Sequence, residues 1–315
     1  MISTSRRAAA LLGAVLFTIG GCGTGATTAP TAVPTVGASP SVVAATPTPT
    51  PAPTSVATVP DGQLIFAGKL VICSDIPYPP LEFFDAQGNP TGSDIDIGTE
   101  ISKRLGLTVQ IENSVFDTII NAVTGGKCDI IISDQNITAD RLAAVDMIPY
   151  FQAGQSFVVA KGNPKAINTL NDLCGKAVGA ETGTTEVQYL NGTGDYKGKG
   201  LSKACTDGGK AAIDVKEFQK DTEALTALLG SQVDTYFADS PVAGYYTIQH
   251  PDQFELSPIP PLQPIKAGIS VAKDKTGLRD AVRAALLSMV GDGTYVNILT
   301  KYGIQTGALQ AGDVK

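Results

Sequence analysis

The sequence predicts an α/β protein built as two doubly wound sheets, on three observations. Short apolar runs alternate with segments of helical period from Lys69 onward, and the alternation starts afresh after Phe157-Val158-Val159-Ala160. Residues 61–315 are also long enough for one large or two medium domains.

Lys69-Leu70-Val71-Ile72-Cys73 reads as a buried strand between Gly68 and Pro77-Tyr78-Pro79-Pro80. Asp96 is placed to cap a helix whose apolar positions Ile97, Ile101 and Leu105 recur every four residues. Val109 to Ile111 is strand-like, and Phe116, Ile119, Ile120 and Val123 give a second amphipathic helix stopped by Gly125-Gly126. Asp129-Ile130-Ile131-Ile132 is a further apolar strand, and this βαβαβ rhythm implies a parallel sheet. In the second half, Ala177 to Ala180, Ile213 to Val215 and Thr235 to Phe237 are strands. Between them, Thr184 or Thr185 caps one helix, and Leu225, Leu228 and Leu229 mark another, closed by Gly230. Ser240-Pro241 after Asp239 reads as an N-cap and first helical residue. Gly268 to Ala272 is again apolar, and two helical patterns follow: Leu278, Val282, Ala285, Leu286, Met289, then Tyr295, Val296, Leu299, Tyr302. In open α/β sheets ligands sit beyond the carboxyl ends of the strands. That rule selects Ser74-Asp75, Ser133 to Asn136, Glu181 to Thr185 and Asp239.

Before the folded part lie two segments of different composition. Met1 to Arg7 is short and basic, Ala8 to Ile19 is almost wholly apolar, and Gly20-Gly21-Cys22 follows. This is the layout of a secretory signal peptide over residues 1–21, with an apolar run too short to span a bilayer. Its end resembles a bacterial lipobox, which implies cleavage before Cys22 and a diacylated N-terminus on that residue. Two acyl chains hold a protein stably to a membrane where one does not. From Gly23 to Pro60 there is no charge and no aromatic side chain, while Thr, Ala and Pro dominate, as in Thr46-Pro47-Thr48-Pro49. Such a chain has too little apolar surface to offset its ordering entropy. Residues 22–60 are therefore expected to act as an extended tether reaching on the order of 100 Å, and the composition also suits an O-glycosylated stalk.

Composition excludes several function classes. The net charge is −7 with a pI near 4.8, and no Lys/Arg cluster occurs, which argues against a nucleic-acid partner. His250 is the only histidine, and no cysteine spacing matches a metal ribbon, so neither a metal nor a cofactor is expected. Setting Cys22 aside, Cys73, Cys128, Cys174 and Cys205 allow three pairings. Pairing within each half favours Cys174 with Cys205; Cys73 and Cys128 also suit ordinary buried thiols in apolar runs.

The strand-end segments carry a resemblance. Asp75-Ile76-Pro77-Tyr78-Pro79-Pro80-Leu81-Glu82-Phe83 with Gly92-Ser93-Asp94-Ile95-Asp96 is similar to the opening of the family 3 extracellular solute-binding proteins. So are Ile137-Thr138-Ala139-Asp140-Arg141 with Val145-Asp146, Gly183-Thr184-Thr185, Val233-Asp234 through Asp239-Ser240-Pro241-Val242, and Asp292-Gly293-Thr294-Tyr295. The resemblance covers about residues 64 to 304, in order. Ser93, Ala139 and Asp134 depart from the family's usual Phe, Pro and small residue, and bear on the substrate more than on the fold. It implies a two-lobed periplasmic-binding-protein-like fold of type II, with lobe 1 at 61–155 plus 267–315, lobe 2 at 156–266, and two hinge crossings. It also implies a monomer that serves the permease subunits of an amino-acid ABC importer from the extracytoplasmic face of the bacterial membrane.

Carried over residue by residue, the family's site gives each candidate a role. Arg141 would fork onto a ligand α-carboxylate through two parallel charge-assisted bonds; otherwise it is a surface helix arginine. Asp239 would take the α-ammonium, a role compatible with capping the next helix. Thr184 and Thr185 would bind carboxylate oxygens at a helix N-terminus, or simply cap it. Tyr78 and Phe116 would stack on the ligand side chain, although Phe116 also fits a helix's apolar face. Ser133 and Asn136 would hydrogen-bond the ligand backbone. Asp75, Asp134 and Glu181 are acids expected near the ligand side chain, where they would favour arginine, lysine, ornithine or glutamine. Ligand bridging of the two lobes would stabilise a closed form. The alternative on the same fold is a cleft enzyme of the cyclohexadienyl dehydratase type, with Glu181 or Asp134 as the acid–base group.

Overall fold

The computed structural model describes residues 56–262 and 264–314. The expected signal peptide, Cys22 and all of the tether except Val56 to Pro60 lie outside the described residues. Among the described residues, no helix is long and apolar enough to cross a membrane.

The first part of the chain runs β1 (Lys69–Ser74), β2 (Phe83–Phe84), β3 (Pro90–Thr91), α1 (Ser93–Arg104), β4 (Thr108–Asn113), α2 (Ile119–Thr124), β5 (Ile130–Ile131), α3 (Ala139–Ala144) and β6 (Val145–Ala153). It continues through β7 (Gln155–Ala160), β8 (Ala177–Glu181), α4 (Thr185–Asn191), α5 (Leu201–Asp207), β9 (Asp214–Phe218), α6 (Asp221–Leu229), β10 (Thr235–Asp239), α7 (Ser240–Gln249) and β11 (Phe254–Leu256). Last come β12 (Ile265–Ala272), α8 (Thr276–Asp292) and α9 (Thr294–Lys301).

Two five-stranded sheets form, in the orders β4-β1-β5-β12-β6 and β11-β7-β10-β8-β9. The chain leaves the first sheet at Gly154, directly between β6 and β7, and re-enters it with β12. Each sheet is covered on both faces because its strands alternate apolar side chains. In β1, Leu70 and Ile72 pack with Ile97 and Ile101 of α1 and Leu278, Val282 and Leu299 of α8 and α9. Val71 and Cys73 point the other way, toward Ile119 and Val123 of α2. In the second sheet, Phe157, Val178 and Phe237 meet Val187, Leu190 and Leu201 of α4 and α5. On its opposite face, Tyr236 and Ala238 share a cluster with Leu225, Leu228, Val242 and Tyr246 of α6 and α7.

Several local expectations need correction. The parallel pairing holds for β1 with β4 and β5, and for β8 with β9 and β10. However, β12 runs antiparallel to both β5 and β6, and β7 runs antiparallel to β10 and β11. Strands that pass from one sheet to the other enter from the opposite end, which reverses their direction, so both sheets are mixed. Helix α1 starts at Ser93 behind Gly92, whose φ of 126° a side chain would strain, so Asp96 sits in the first turn rather than at the cap. Asp239, not Ser240, occupies the N-cap position of α7. Strand β9 runs from Asp214 to Phe218, displaced from the expected Ile213 to Val215. Leu229 is exposed, leaving Leu225 and Leu228 as the packed leucines of α6, beside Ala224 and Ala227.

Both cysteine pairs stand at disulfide distance. The Cα atoms are 5.7 Å apart for Cys73–Cys128 and 5.5 Å for Cys174–Cys205. The first ties β1 to the turn before β5, and the second ties the loop before β8 to α5.

Candidate functional site

The carboxyl ends of β1, β5, β8 and β10 converge, and the loops beyond them line a narrow cavity. All eleven residues given ligand-binding roles line it, namely Asp75, Tyr78, Phe116, Ser133, Asp134, Asn136, Arg141, Glu181, Thr184, Thr185 and Asp239, whereas Ser74, Gln135, Thr182 and Gly183 of the strand-end segments do not. Glu82 and Glu186 line it as well and were not expected.

Arg141 is buried, although α3, which carries it, is otherwise mostly exposed. Its Nη1 donates to the Asn136 carbonyl at 2.7 Å and its Nη2 to the Gly183 carbonyl at 2.9 Å. The guanidinium also lies 5.2 Å from the Phe116 ring centroid, a cation–π distance. Gly183 is required here: its φ is +82°, and a Cβ would come within 2.9 Å of Asp117 from the first-sheet side. Two of the five guanidinium donors are thus spent on fixing the fork. Burial lowers the Arg141 pKa to about 10, while Glu186, Asp239 and Asp134 pull it upward.

Around this cation stand three buried acids. Asp239 accepts from the Tyr78 hydroxyl through Oδ2 at 3.0 Å, and its Oδ1 has no protein partner. Although Asp239 is at a helix N-cap, its side chain makes no capping bond. Asp134, in the left-handed region at φ 39°, donates its backbone N–H to Asp94, and neither of its carboxylate oxygens is paired. Glu186 accepts from the Thr185 hydroxyl at 3.3 Å and leaves Oε1 unpaired. Burial raises the pKa of all three, and mutual repulsion adds to it for Asp239 and Asp134. Asp94 and Glu186 repel the Asp134 carboxylate and Arg141 attracts it.

Asp75 and Glu181 also line the space. Asp75 Oδ2 accepts from the Phe116 backbone N–H at 2.7 Å, and Oδ1 pairs with Lys220 Nζ. Glu181 has an unpaired Oε1; burial, then repulsion from Asp75 and Asp221, pushes its pKa up to about 11, with Lys220 opposing. Asp221, behind it, is raised by burial to about 7. It accepts from the hydroxyl of Tyr236.

The hydroxyl-bearing candidates are largely occupied within the protein. Thr184 accepts from the Val187 N–H and donates to the Glu181 carbonyl, as a cap of α4 does. Thr185 Oγ1 receives Asn136 Nδ2 and Gln155 Nε2, each at 2.8 Å. Ser133 accepts from the Asp75 N–H and donates to Glu82 Oε1 at 2.6 Å. Glu82 Oε2 stays unpaired, and burial followed by repulsion from Asp94 raises its pKa. Several of these contacts join the first sheet's loops to the second's: Arg141 to Gly183, Asn136 to Thr185, Tyr78 to Asp239, and Lys220 to Asp75.

Sequence reasoning missed Glu82, Glu186 and Lys220. Glu82 lies inside the segment Pro80-Leu81-Glu82-Phe83, and Glu186 follows the capping threonines, where an acid reads as an ordinary first-turn residue. Lys220 is in a polar stretch between β9 and α6 that no periodicity marks.

Comparison with known proteins is consistent across sequence and structure. Residues 70–305 match the family described as bacterial extracellular solute-binding proteins, family 3. The chain is 28% identical over 240 residues to the probable ABC transporter arginine-binding protein ArtJ of Chlamydia trachomatis, covering 75% of this chain and 86% of that protein. An ancestral arginine-binding protein bound to arginine superposes with a TM-score of 0.66 at 35% identity, covering 75% of this chain and 98% of that one. An ancestral amino-acid-binding protein that is a precursor of cyclohexadienyl dehydratase superposes with a TM-score of 0.65 at 30% identity, covering 75% and 95%.

Proposed function

We propose, from the premise that the chain belongs to the bacterial extracellular solute-binding proteins, family 3, that it captures a polar L-amino acid, with basic side chains favoured. The observation that carries this reading is the charge pattern of one buried space. A single guanidinium, fixed by two carbonyls, lines it together with six carboxyl groups: Asp75, Glu82, Asp134, Glu181, Glu186 and Asp239. Five of those six retain an oxygen with no protein partner. Buried acids in that state call for protons or a cation, because an unpaired buried charge is costly. An amino acid with a basic side chain brings one carboxylate for Arg141 and two cations for the acids. The arginine-binding relatives support the same direction.

The roles divide by position. Arg141 takes the α-carboxylate and Asp239 Oδ1 the α-ammonium, with Glu186 and Asp134 adding negative field beside it. Phe116 and Tyr78 flank the aliphatic part of the side chain, and Asp75 with Glu181 face its end. Asn136 and Thr185 hold each other across the two sheets, so their contribution is to the closed arrangement. Ligand held by groups from both sheets adds to those bridges and shifts the population toward the closed form, which an ABC importer's permease subunits then engage. Residues 61–155 with 267–315, and 156–266, are the two lobes of this motion. The reading includes export as a monomeric lipoprotein: a signal peptide over 1–21 and lipid on Cys22. The tether of 22–60 would then hold the binding unit near the outer face of the membrane.

The test is calorimetric titration of the purified protein with the twenty amino acids and ornithine. Arginine, lysine or ornithine should bind at about micromolar strength or better, roughly −8 kcal/mol. Absence of heat from every amino acid would refute the proposal. One observation favours a second reading. Glu181 is a buried carboxyl held protonated at neutral pH, as a general acid must be, and a structural neighbour is a dehydratase precursor. Turnover of prephenate or arogenate would establish that alternative; binding without turnover leaves the capture reading.

A further inference from the structure

We propose that Lys220 is a resident counter-cation that sets how strongly the site distinguishes a basic side chain from an amide one. The inference deepens the amino-acid reading above and rests on it. Lys220 immediately precedes α6 and so belongs to the second sheet's side, while its partner Asp75 follows β1 of the first. Its Nζ pairs with Asp75 Oδ1 and lies 3.5 Å from the Ile76 carbonyl. The two partners differ in exposure: 4% for the Asp75 side chain and 24% for that of Lys220. The lysine therefore reaches from a water-accessible edge onto an acid at the wall of the space.

The consequence follows from counting bonds. Asp75 already holds Lys220 on one oxygen and the Phe116 N–H on the other. Of the two acids at this end, Glu181 keeps the buried, unpaired oxygen. A ligand guanidinium or ammonium arriving here meets a neutralised Asp75 and a like charge beside it. It gains Asp75 only if Lys220 swings outward, giving up the ion pair. A terminal amide meets a complementary arrangement, since its NH₂ can donate to Glu181 while its carbonyl accepts from the Lys220 ammonium. With the lysine in place the site favours basic ligands less than its acids alone would.

Calorimetric titration of arginine and of glutamine into the wild-type chain, Lys220→Met and Lys220→Arg tests this. The readout is the ratio of the two affinities, because a loss of closure would weaken both ligands together. Lys220→Met should raise the arginine-to-glutamine ratio about tenfold or more, the scale of one buried charge contact, and Lys220→Arg should keep it within about threefold. An unchanged ratio in Lys220→Met, whether both affinities hold or fall in step, would overturn the inference and leave Lys220 a simple latch. Lys220→Gln is read in the same way if the methionine variant fails to fold. A wild-type chain that takes neither ligand overturns the amino-acid reading itself, a result distinct from an unchanged ratio.

Discussion

Beside Phe116 the Arg141 cation is pinned by two carbonyls and a ring, whereas the cation on Asp75 is Lys220, a partly exposed side chain that pairs with Asp75 without itself lining the cavity. The first arrangement pays its desolvation cost permanently and holds one geometry. The second can exchange its ion pair for water. This difference matches what the two ends have to recognise: the α-carboxylate and α-ammonium are common to every amino acid, while side chains vary. Rigidity suits the shared group and adjustability the variable one.

Breaking the rigid end should have the largest effect. Arg141→Ala removes the guanidinium on which the α-carboxylate depends and frees the Asn136 and Gly183 carbonyls. Truncating one partner of a buried charge pair costs about 2–5 kcal/mol, so binding of every amino acid should fall by about 30-fold or more in calorimetry. Retained affinity would remove the carboxylate assignment. Asp239→Asn is gentler, because the Tyr78 bond can persist. A charge-assisted bond contributes about 1.5–3 kcal/mol, so all ligands should weaken by about 10- to 100-fold. A loss confined to basic ligands would move Asp239 to the side-chain end.

The adjustable end should respond selectively, and to pH. Glu181→Gln should lower the arginine-to-glutamine affinity ratio by about tenfold, with little change for glutamine; an equal effect on both ligands would deny Glu181 a place at the side chain. Glu181 is held protonated to about 11 in the free protein, and a cationic side chain favours its ionised form. Binding arginine near neutral pH should therefore release a proton, and arginine affinity should rise with pH by up to about tenfold per unit, while glutamine affinity stays flat. The sign is opposite for the folding of the unliganded chain: a carboxyl whose folded pKa is raised contributes stability at low pH and loses it as pH rises toward 11. Equal proton release for arginine and glutamine, measured by titration in buffers of different ionisation enthalpy, would count against Glu181 as the responsive group.

The contrast between the two ends also explains what the sequence made legible. The alternating strands and helices and the strand ends are local patterns, and most of the residues they select line the cavity, whereas Tyr78, Phe116 and Arg141 are legible only through the family resemblance. Less local facts were hidden. The direction of β12 depends on a crossing between sheets, and its apolar residues read alike in either direction. The surroundings of Asp134 are equally non-local, since its backbone N–H is held by Asp94, 40 positions away in the chain. Lys220 escaped notice because its significance is a contact across 145 residues of sequence.

The smallest effect is expected at Thr184, where the sequence left capping and ligand binding open. Its hydroxyl donates to the Glu181 carbonyl at 2.7 Å and accepts from the Val187 N–H at 3.4 Å, so both functions of the group are engaged within the protein. Thr184→Ala should therefore cost about 1 kcal/mol of folding stability in a denaturant melt, the usual loss of a helix cap. Amino-acid affinity should change by less than about threefold, since the backbone N–H groups at the start of α4 are retained. A tenfold fall in affinity at unchanged stability would reverse this assignment, making the Thr184 hydroxyl a ligand contact and extending the rigid end of the cavity by one residue.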